Sequence, residues 1–456
     1  MTSQQAVVKR VLDKVRPSEE ESRAVSTFVS QLLHVAKRTD VEGLVCGSIG
    51  KYTWLAGDHD IDLFIFFPES TSREALEKEG LEVGKKITTR MEGKWRIKYA
   101  EHPYVHAIID GFDVDIVPCY KIEKGGPIKS AVDRSPLHLS YVLEHLKPEQ
   151  YDEVRLLKQF CKGADVYGAD TKTQGISGYI CELLIISYGS FDAVIQSAGG
   201  WRAPHAIGGD VRHFDAPFVV IDPTDHSRNA AAAVSAENFA RFVFAAHQFA
   251  ERPSIESFFP KAKALSTSDI SKLKKRSTYF AAVVGSRPDV IDDVLWPQLR
   301  RARHRLVKEL EQNEFKVIRS FEWADEETTR KAEIALIFEL ECWALPPVQR
   351  MHGPPITAHD HSARFLQKYG KPAFGPFVDG QGNWFIEKER PFTRADELLR
   401  TFLNHPQTQL EAAGIPDYAA AAMKGHKLLS GGAFWRWVRR SDITELMWKK
   451  YMKKLG

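Results

Sequence analysis

Asp60 and Asp62 stand one residue apart at the head of an apolar run, and a third acid, Asp115, lies in a second such run downstream. Side chains at i and i+2 of a strand project from one face, so the first two can grip the same ions. Three carboxylates supply hard oxygen ligands of the kind Mg²⁺ takes, alongside water and phosphate. Two ions about 3.5–4 Å apart polarise an attacking 3′-hydroxyl and neutralise charge on a leaving pyrophosphate. The pattern therefore predicts nucleotidyl transfer: Asp60 and Asp62 hold both ions, and Asp115 completes the site that activates the hydroxyl and takes its proton. Asp113 shares the strand face of Asp115, but its place near a turn suits a solvated acid.

These acids need strands to present them. Val41 to Cys46 reads as a short strand, Gly47-Ser48 as a turn, Ile49 to Leu55 as a brief helix and Ala56 to His59 as a loop. From Asp60 the run Asp-Ile-Asp-Leu-Phe-Ile-Phe-Phe predicts a buried central strand that Pro68 stops. A turn feeding a helix offers free backbone N–H groups and the positive end of a dipole, so the stretch from Gly47 suits a triphosphate, with Ser48 adding a hydroxyl and Lys51 a charge. Between Val105 and Val117, Asp110-Gly111 is a two-residue hairpin signal, which puts Asp115 in the returning strand and makes Pro118 its expected end.

Helical periodicity then marks Val154 to Cys161, Gly178 to Gln196 and Ser235 to Glu251, the second apolar nearly all round and expected to be one core helix. Pro253 and Pro260 suggest a boundary. Leu295 to Asn313 predicts a long helix whose Arg300, Arg301, Arg303, Arg305 and Lys308 form a basic face. Strands around Ala332 to Cys342 and Trp384 to Glu387, with Ala363 to Leu366 helical between them, predict a small inserted α/β domain, and helix resumes at Arg394 to Leu403. At 456 residues the chain exceeds what one core organises. The expected domains are 1–145, 146–260, 261–315 together with 388–456, and an insertion over 316–387. No period repeats.

Composition is that of an ordinary soluble protein, 43% hydrophobic and 27% charged, and no run approaches the ~20 apolar residues that span a bilayer. The segment Val7 to Val15, followed by Pro17-Ser18-Glu19-Glu20-Glu21, reads as a helix start and not as a signal peptide. A cytoplasmic protein without membrane partners is expected. Cys46, Cys119, Cys161, Cys181 and Cys342 are scattered without zinc spacing, so buried reduced thiols are expected. Residues 424–456 carry nine Lys and Arg against Asp442 and Glu445, a net +7 within a total of +3, so residues 1–423 sum to −4. Trp435, Trp437, Trp448 and Tyr451 interleave with those cations, a combination suited to a phosphate backbone and to stacking, or else to a solvated helix with a packed apolar face.

Several blocks together resemble the archaeal-type, class I CCA-adding tRNA nucleotidyltransferases. They are Gly47-Ser48 through Thr53-Trp54-Leu55 to Asp60-Ile61-Asp62, Tyr99-Ala100-Glu101-His102-Pro103-Tyr104-Val105-His106, and Val114 through Tyr120. Ser130 to Pro136, Val154 to Lys158, Gly175 to Leu184, Asp222 to Asn229 and Asp292 to Leu299 continue the likeness in order, and a looser one reaches the C-terminus. The resemblance implies an α+β multidomain protein: a polymerase-beta-like nucleotidyltransferase domain with a mixed sheet, a helical middle domain and C-terminal α/β RNA-binding domains. It implies addition of C, C and A to tRNA from CTP and ATP with Mg²⁺, without a nucleic-acid template, the acceptor stem and elbow of tRNA being gripped by shape and phosphate contacts.

Residue by residue, the likeness assigns Asp60, Asp62 and Asp115 to catalysis and metal binding. It assigns Ser48, Lys158 and Tyr167 to the triphosphate and Arg228 to the incoming base. Glu101 and His102 fall near the nucleotide pocket and His138 near a triphosphate contact, although a lone histidine is equally suited to an ordinary half-buried role. Arg228 offers paired donors to a cytosine or adenine edge, with a salt bridge to Asp222 or Asp225 as its structural alternative. Lys51 stands where an arginine is common, Ser135 where a threonine is usual, and Asp60 where a glutamate is common. Lysine exchanges a planar fork for a point charge, and the shorter Asp60 must approach the ions more closely. The readings to be distinguished are a CCA-adding enzyme, a poly(A) polymerase or other terminal transferase, and an inactive tRNA-binding protein. A homodimer is compatible with all three.

Overall fold

The computed structural model describes residues 3–99, 101–123, 126–209, 214–261, 263–326, 331–369 and 374–453. Ala100 of the second resemblance block and Lys454 of the basic tail lie outside the described residues. The chain forms two compact units that divide at Lys261 and Ala262.

The first unit opens with helices α1 (Ser3–Val15) and α2 (Glu19–Lys37), the latter begun by a reciprocal Ser18–Glu21 cap. Strands β1 (Gly43–Val45), β2 (Asp60–Phe67), β3 (Lys94–Tyr99), β4 (Pro103–Ile109) and β5 (Phe112–Tyr120) form one sheet in the order β1-β2-β5-β4-β3, with only β2 and β5 parallel. The short helix α3 (Gly47–Gly50) follows β1, and α4 (Arg73–Arg90) crosses from β2 to β3. Strand alternation sorts the faces. Ile61, Leu63, Ile65, Val105, Ala107, Val114 and Ile116 form one buried core with Phe28 and Leu32 of α2 and Leu76 and Ile87 of α4. The four acids of β2 and β5 are left on the opposite face, where Phe64, Val117 and Cys119 pack with Leu139 of α5 (Arg134–His145).

Two local expectations change here. The helix foreseen over Ile49 to Leu55 is α3, which begins two residues earlier and ends at Gly50, before Tyr52 takes a positive φ of 59°. Pro118 does not end β5: it sits opposite Ile65 inside the strand. Lys121 N–H donates to Phe67 O, so by alternation the odd amides of β5 face β2. The proline's missing N–H thus faces the β4 side, where the ladder has ended at Ile116. The predicted hairpin turn does form, with Asp110 at φ 50° and Gly111 at φ 83°.

After α5 come α6 (Tyr151–Gly163), α7 (Gly178–Tyr188), α8 (Phe191–Ala198) and α9 (Ala236–Glu251). They enclose an aromatic core in which Phe160 meets Phe191, Phe242, Phe249 and Phe258 edge-on. The single helix expected over 178–196 is two, meeting at 94°. Gly189 at φ 90° stops the first and Ser190 caps the second. A small sheet of β6 (His205–Ile207), β7 (Phe218–Asp222) and β8 (Asp225–Asn229) completes the unit. Among the described residues, no single helix is long and apolar enough to cross a membrane.

In the second unit, α10 (Thr267–Lys274), β9 (Tyr279–Ser286), α11 (Asp292–Gln312), β10 (Val317–Ala324) and β11 (Glu333–Leu340) precede β12 (Val348–Pro355), α12 (His359–Tyr369), β13 (Phe374–Val378) and β14 (Asn383–Glu389). Then follow α13 (Ala395–Leu403), α14 (Gln407–Ala412), α15 (Asp417–Ala422), β15 (Lys427–Ser430), α16 (Gly431–Trp437) and α17 (Ser441–Tyr451). The insertion expected to start at 316 is shorter. β10 and β11 join β9 and β15 in the order β10-β11-β9-β15, and only β12, β14 and β13 form a sheet of their own.

The basic, aromatic tail is largely structural. Trp435 packs 5.0 Å from Phe280, Trp437 meets Trp323 edge-on, and Tyr451 lies against Phe280 and Phe321. Arg440 is bound to Asp325 and Glu333, while Lys424, Lys427, Arg436, Arg439 and Lys449 remain exposed. The basic face of α11 is likewise partly neutralised: Arg300 and Arg303 pair with Glu322 and Arg305 with Glu309, leaving Arg301 and Lys308 exposed.

Candidate active site

The parallel pairing of β2 with β5 places Asp62 opposite Asp115 and Asp60 opposite Asp113. Directly paired positions point to one side of a sheet, so all four acids share a face. Burial pushes the Asp62 carboxyl up to about 6, and the negative charges of Asp115 and then Asp60 add to the effect. Burial, followed by Asp58, Asp113 and Asp115, raises Asp60 in the same direction. Mutual repulsion of this kind is what a bound cation relieves. Among the described residues no three side chains close into a finished metal cage.

Gly47 explains the approach to Asp62. Its φ is +61°, and a Cβ built there would lie 2.0 Å from Asp62 Oδ2, so only a glycine admits the carboxylate. Ser48 sits half-buried in α3 beside it. On the other flank, β4 offers His106 directly opposite Asp115. His106 Nδ1 is 2.6 Å from Asp115 Oδ1 and its Nε2 is 3.4 Å from Asp113 Oδ1. Tyr104, two residues earlier on the same face, also hydrogen-bonds Asp115, and burial together with Asp115 pushes its phenol up to about 12.

A second cluster lies across α3, α6 and α7. Lys51 Nζ meets Glu182 Oε2 at 2.8 Å, and Lys158 Nζ meets Glu182 Oε1 at 3.3 Å and Thr53 Oγ1 at 2.9 Å, all four side chains buried. Burial lowers the Lys158 ammonium; burial would raise Glu182, but Lys51 and Lys158 outweigh it and hold that carboxyl down. Two ammonium groups against one carboxylate leave a positive excess. Tyr167 approaches the same place: a Cβ on Gly178 would lie 3.1 Å from its hydroxyl and 3.2 Å from Lys158 Cε.

Asp222 organises the third group. Its Oδ2 accepts from Arg228 Nη1 at 2.8 Å and from His138 Nε2 at 2.9 Å, and its Oδ1 accepts from Thr224 and from the Tyr179 hydroxyl. Burial would raise this carboxyl, yet the bonds from His138 and Thr224 hold it far below the usual carboxylate range. Burial lowers His138, against the opposing pull of Asp222. The Tyr179 ring stacks on His138 at 3.8 Å and lies 4.9 Å below Lys51 Nζ, linking the second and third clusters.

Glu101 and His102 form a separate group. Glu101 accepts from the Ala131 amide, and His102 is buried with neither ring nitrogen hydrogen-bonded among the described residues. Burial lowers the His102 imidazole, against the opposing charge of Glu101. Ser135 lies half-buried in the first turn of α5.

The sequence residues thus gather as acids, a buried lysine pair and an arginine on a carboxylate. Residue reasoning passed over His106, Tyr104, Thr53, Tyr179 and Glu182, and treated Asp222 only as the alternative use of Arg228. A histidine two residues after a tyrosine in a strand facing acids was the available signal for the first two. Glu182, an acid inside an otherwise apolar helix, was a signal that a buried cation must answer it. Four of the five cysteines are buried as free thiols, and burial pushes Cys46 up to about 12.

Comparisons with known proteins match three family models to the chain in order. The nucleotidyltransferase domain family matches residues 24–138, the second domain of tRNA nucleotidyltransferases 152–259, and the C-terminal domain of CCA-adding enzymes 276–413. A CCA-adding enzyme of Halobacterium salinarum is 41% identical over 417 residues, covering 88% of this chain and 90% of that protein. One of Methanosarcina acetivorans is 37% identical over 408 residues, covering 86% and 88%. One of Methanocaldococcus jannaschii is 35% identical over 433 residues, covering 90% and 93%.

Proposed function

Because the chain belongs to the CCA-adding enzyme family and is a nucleotidyltransferase, we propose that Asp60, Asp62 and Asp115 are the catalytic centre through which it completes tRNA. The observation that carries this reading is the register of Asp62 against Asp115, two carboxylates that repel each other on one buried strand pair. Divalent ions serve this family, and Mg²⁺ held by Asp60, Asp62 and Asp115 would supply Lewis acidity and charge neutralisation when bound.

The remaining work falls to the protein. The 3′-hydroxyl of the RNA attacks the α-phosphorus of CTP or ATP, its proton passes to Asp115, the O3′–P bond forms, and the bond to pyrophosphate breaks. His106 and Tyr104 fix Asp115 for that role. The positive excess of Lys51 and Lys158 over Glu182, with Ser48 and Tyr167, receives the triphosphate. Arg228, steadied by Asp222, keeps its other donors for the edge of cytosine or adenine. Glu101, His102, Ser135 and His138 line the same nucleotide path. The second unit holds the acceptor stem and elbow through its exposed cations, and free thiols suit a reducing cytoplasm.

The test is incubation with CTP, ATP and Mg²⁺ on tRNAs ending at the discriminator base, after C and after CC, with sequencing of the products. Strictly bounded CCA ends are expected from all three. Long A tails would favour a poly(A) polymerase, and absence of pyrophosphate release would mean a binding protein. Fractionation tests the compartment, and sedimentation tests whether two chains pair.

A further inference from the structure

Beyond the acids, the catalytic face of the sheet continues to its edge. In register, Asp62, Asp115, His106 and Arg96 form one row across β2, β5, β4 and β3. On β3, Lys94 and Lys98 flank Arg96 at alternate positions, opposite Ile108 and Tyr104, so all three cations share the face of the acids. Trp95, between them, points to the helical side, where the Lys85 ammonium lies 4.9 Å from its ring.

Three properties set this row apart. Lys94 and Arg96 are exposed and Lys98 half-buried, and among the described residues no carboxylate lies within ion-pair distance of any of them. Cations two residues apart on a strand are spaced roughly 6–7 Å, and three ladder steps put Arg96 roughly 14 Å from Asp62. Ile108 of β4, an inner strand, is 44% exposed on this face, between the cations and the acids. A chain of phosphates joined by apolar sugars fits a line of charges beside an apolar step. The carboxylates of β2 and β5 repel the same chain, so charge directs it to the cationic edge.

We propose that Lys94, Arg96 and Lys98 form a rail for the last few backbone phosphates of the RNA strand whose 3′ end enters the catalytic centre. The proposal rests on the nucleotidyl-transfer reading of Asp60, Asp62 and Asp115 and names how that site receives its acceptor. The rail reads charge and not sequence, so it serves an end that changes with each addition. An RNA strand is favoured over a second copy of the chain, because exposed lysines on an edge strand oppose strand-to-strand pairing.

The experiment uses the full-length protein, wild type and the triple variant Lys94→Ala/Arg96→Ala/Lys98→Ala, with tRNA lacking CCA at several salt concentrations. The triple variant should raise KM for tRNA at least about tenfold. It should also reduce the slope of log KM against log salt by about 2, near 0.7–0.9 for each lost phosphate contact. KM for CTP, kcat at saturating tRNA and the melting temperature should stay close to wild type. Neutral methylphosphonate linkages near the 3′ end should raise KM for the wild type and have little effect on the variant, since both remove one interaction. Unchanged KM and salt slope would overturn the rail, as would self-association of the variant with an unchanged slope. Failure of the wild type to extend tRNA would instead overturn the catalytic reading beneath it.

Discussion

His106 Nδ1 donates to Asp115 Oδ1 at 2.6 Å, and the Tyr104 hydroxyl bonds the same carboxylate. The histidine bond crosses neighbouring strands at a directly paired position, so the backbone ladder itself sets its length. Partners that orient ligating carboxylates are typically worth 10–100-fold. His106→Ala should therefore lower kcat by about 10–100-fold, with KM for CTP within about twofold and the melting temperature little changed, and His106→Gln should restore part of the loss. Steady-state kinetics over a range of Mg²⁺ concentrations reads both.

Asp62→Asn should abolish incorporation while leaving tRNA binding near wild type, measured by filter binding. It should also stabilise the metal-free protein. The folded carboxyl titrates at about 6 against an ordinary 3.8, so the native state holds its proton more tightly than the unfolded chain. Stability then falls as pH rises from about 4 to 6, and the cost is complete above that range. The gain on substitution should be on the order of 1–3 kcal/mol at pH 7.5 and close to nil at pH 4, where wild-type Asp62 is already protonated. Thermal melts at the two pH values, without metal, decide it.

Glu182→Gln leaves Lys51 and Lys158 buried without a counter-charge. Breaking one side of a buried ion pair costs about 3–5 kcal/mol. Urea unfolding should show a loss of that size, and adding Lys158→Met should recover part of it because the stranded cation is removed. A double substitution no better than Glu182→Gln alone would show that the two side chains are not energetically coupled.

Asp222→Asn keeps the shape of the side chain and removes the charge that Arg228 and His138 share. The guanidinium should lose its fixed orientation, raising KM for CTP and ATP about tenfold and increasing misincorporation of UTP. Competition assays with mixed nucleotides on a tRNA ending in C measure both effects. Unaltered discrimination would separate Arg228 from base choice.

Legibility in the sequence followed locality. β2 and the β4–β5 hairpin stand where the Asp60 to Phe67 run and Asp110-Gly111 place them, because apolar runs and turn chemistry act over a few residues. Gly189 broke a helix that composition alone made continuous, since one residue at positive φ outweighs an apolar neighbourhood. Pro118 is tolerated inside β5 because the neighbouring ladder stops at Ile116, a property of pairing that local sequence does not carry. The tail tryptophans carry the same composition whether they stack on a ligand or on Phe280 and Trp323. That Asp60, Asp62 and Asp115 share one face follows from spacing and pairing, whereas Asp222 and Glu182 acquire meaning only when separate elements bring cations to them.

Parallel pairing of β2 with β5 has a consequence for biogenesis. Asp62 and Asp115 are far apart along the chain and meet only when α4 and an entire hairpin have been laid down between them. No nascent fragment that stops short of Asp115 can bring the two carboxylates together, and a single-step slip of β5 would turn its acids into the apolar interior. Convergence of these carboxylates is thereby a late event in the assembly of the sheet, set by topology.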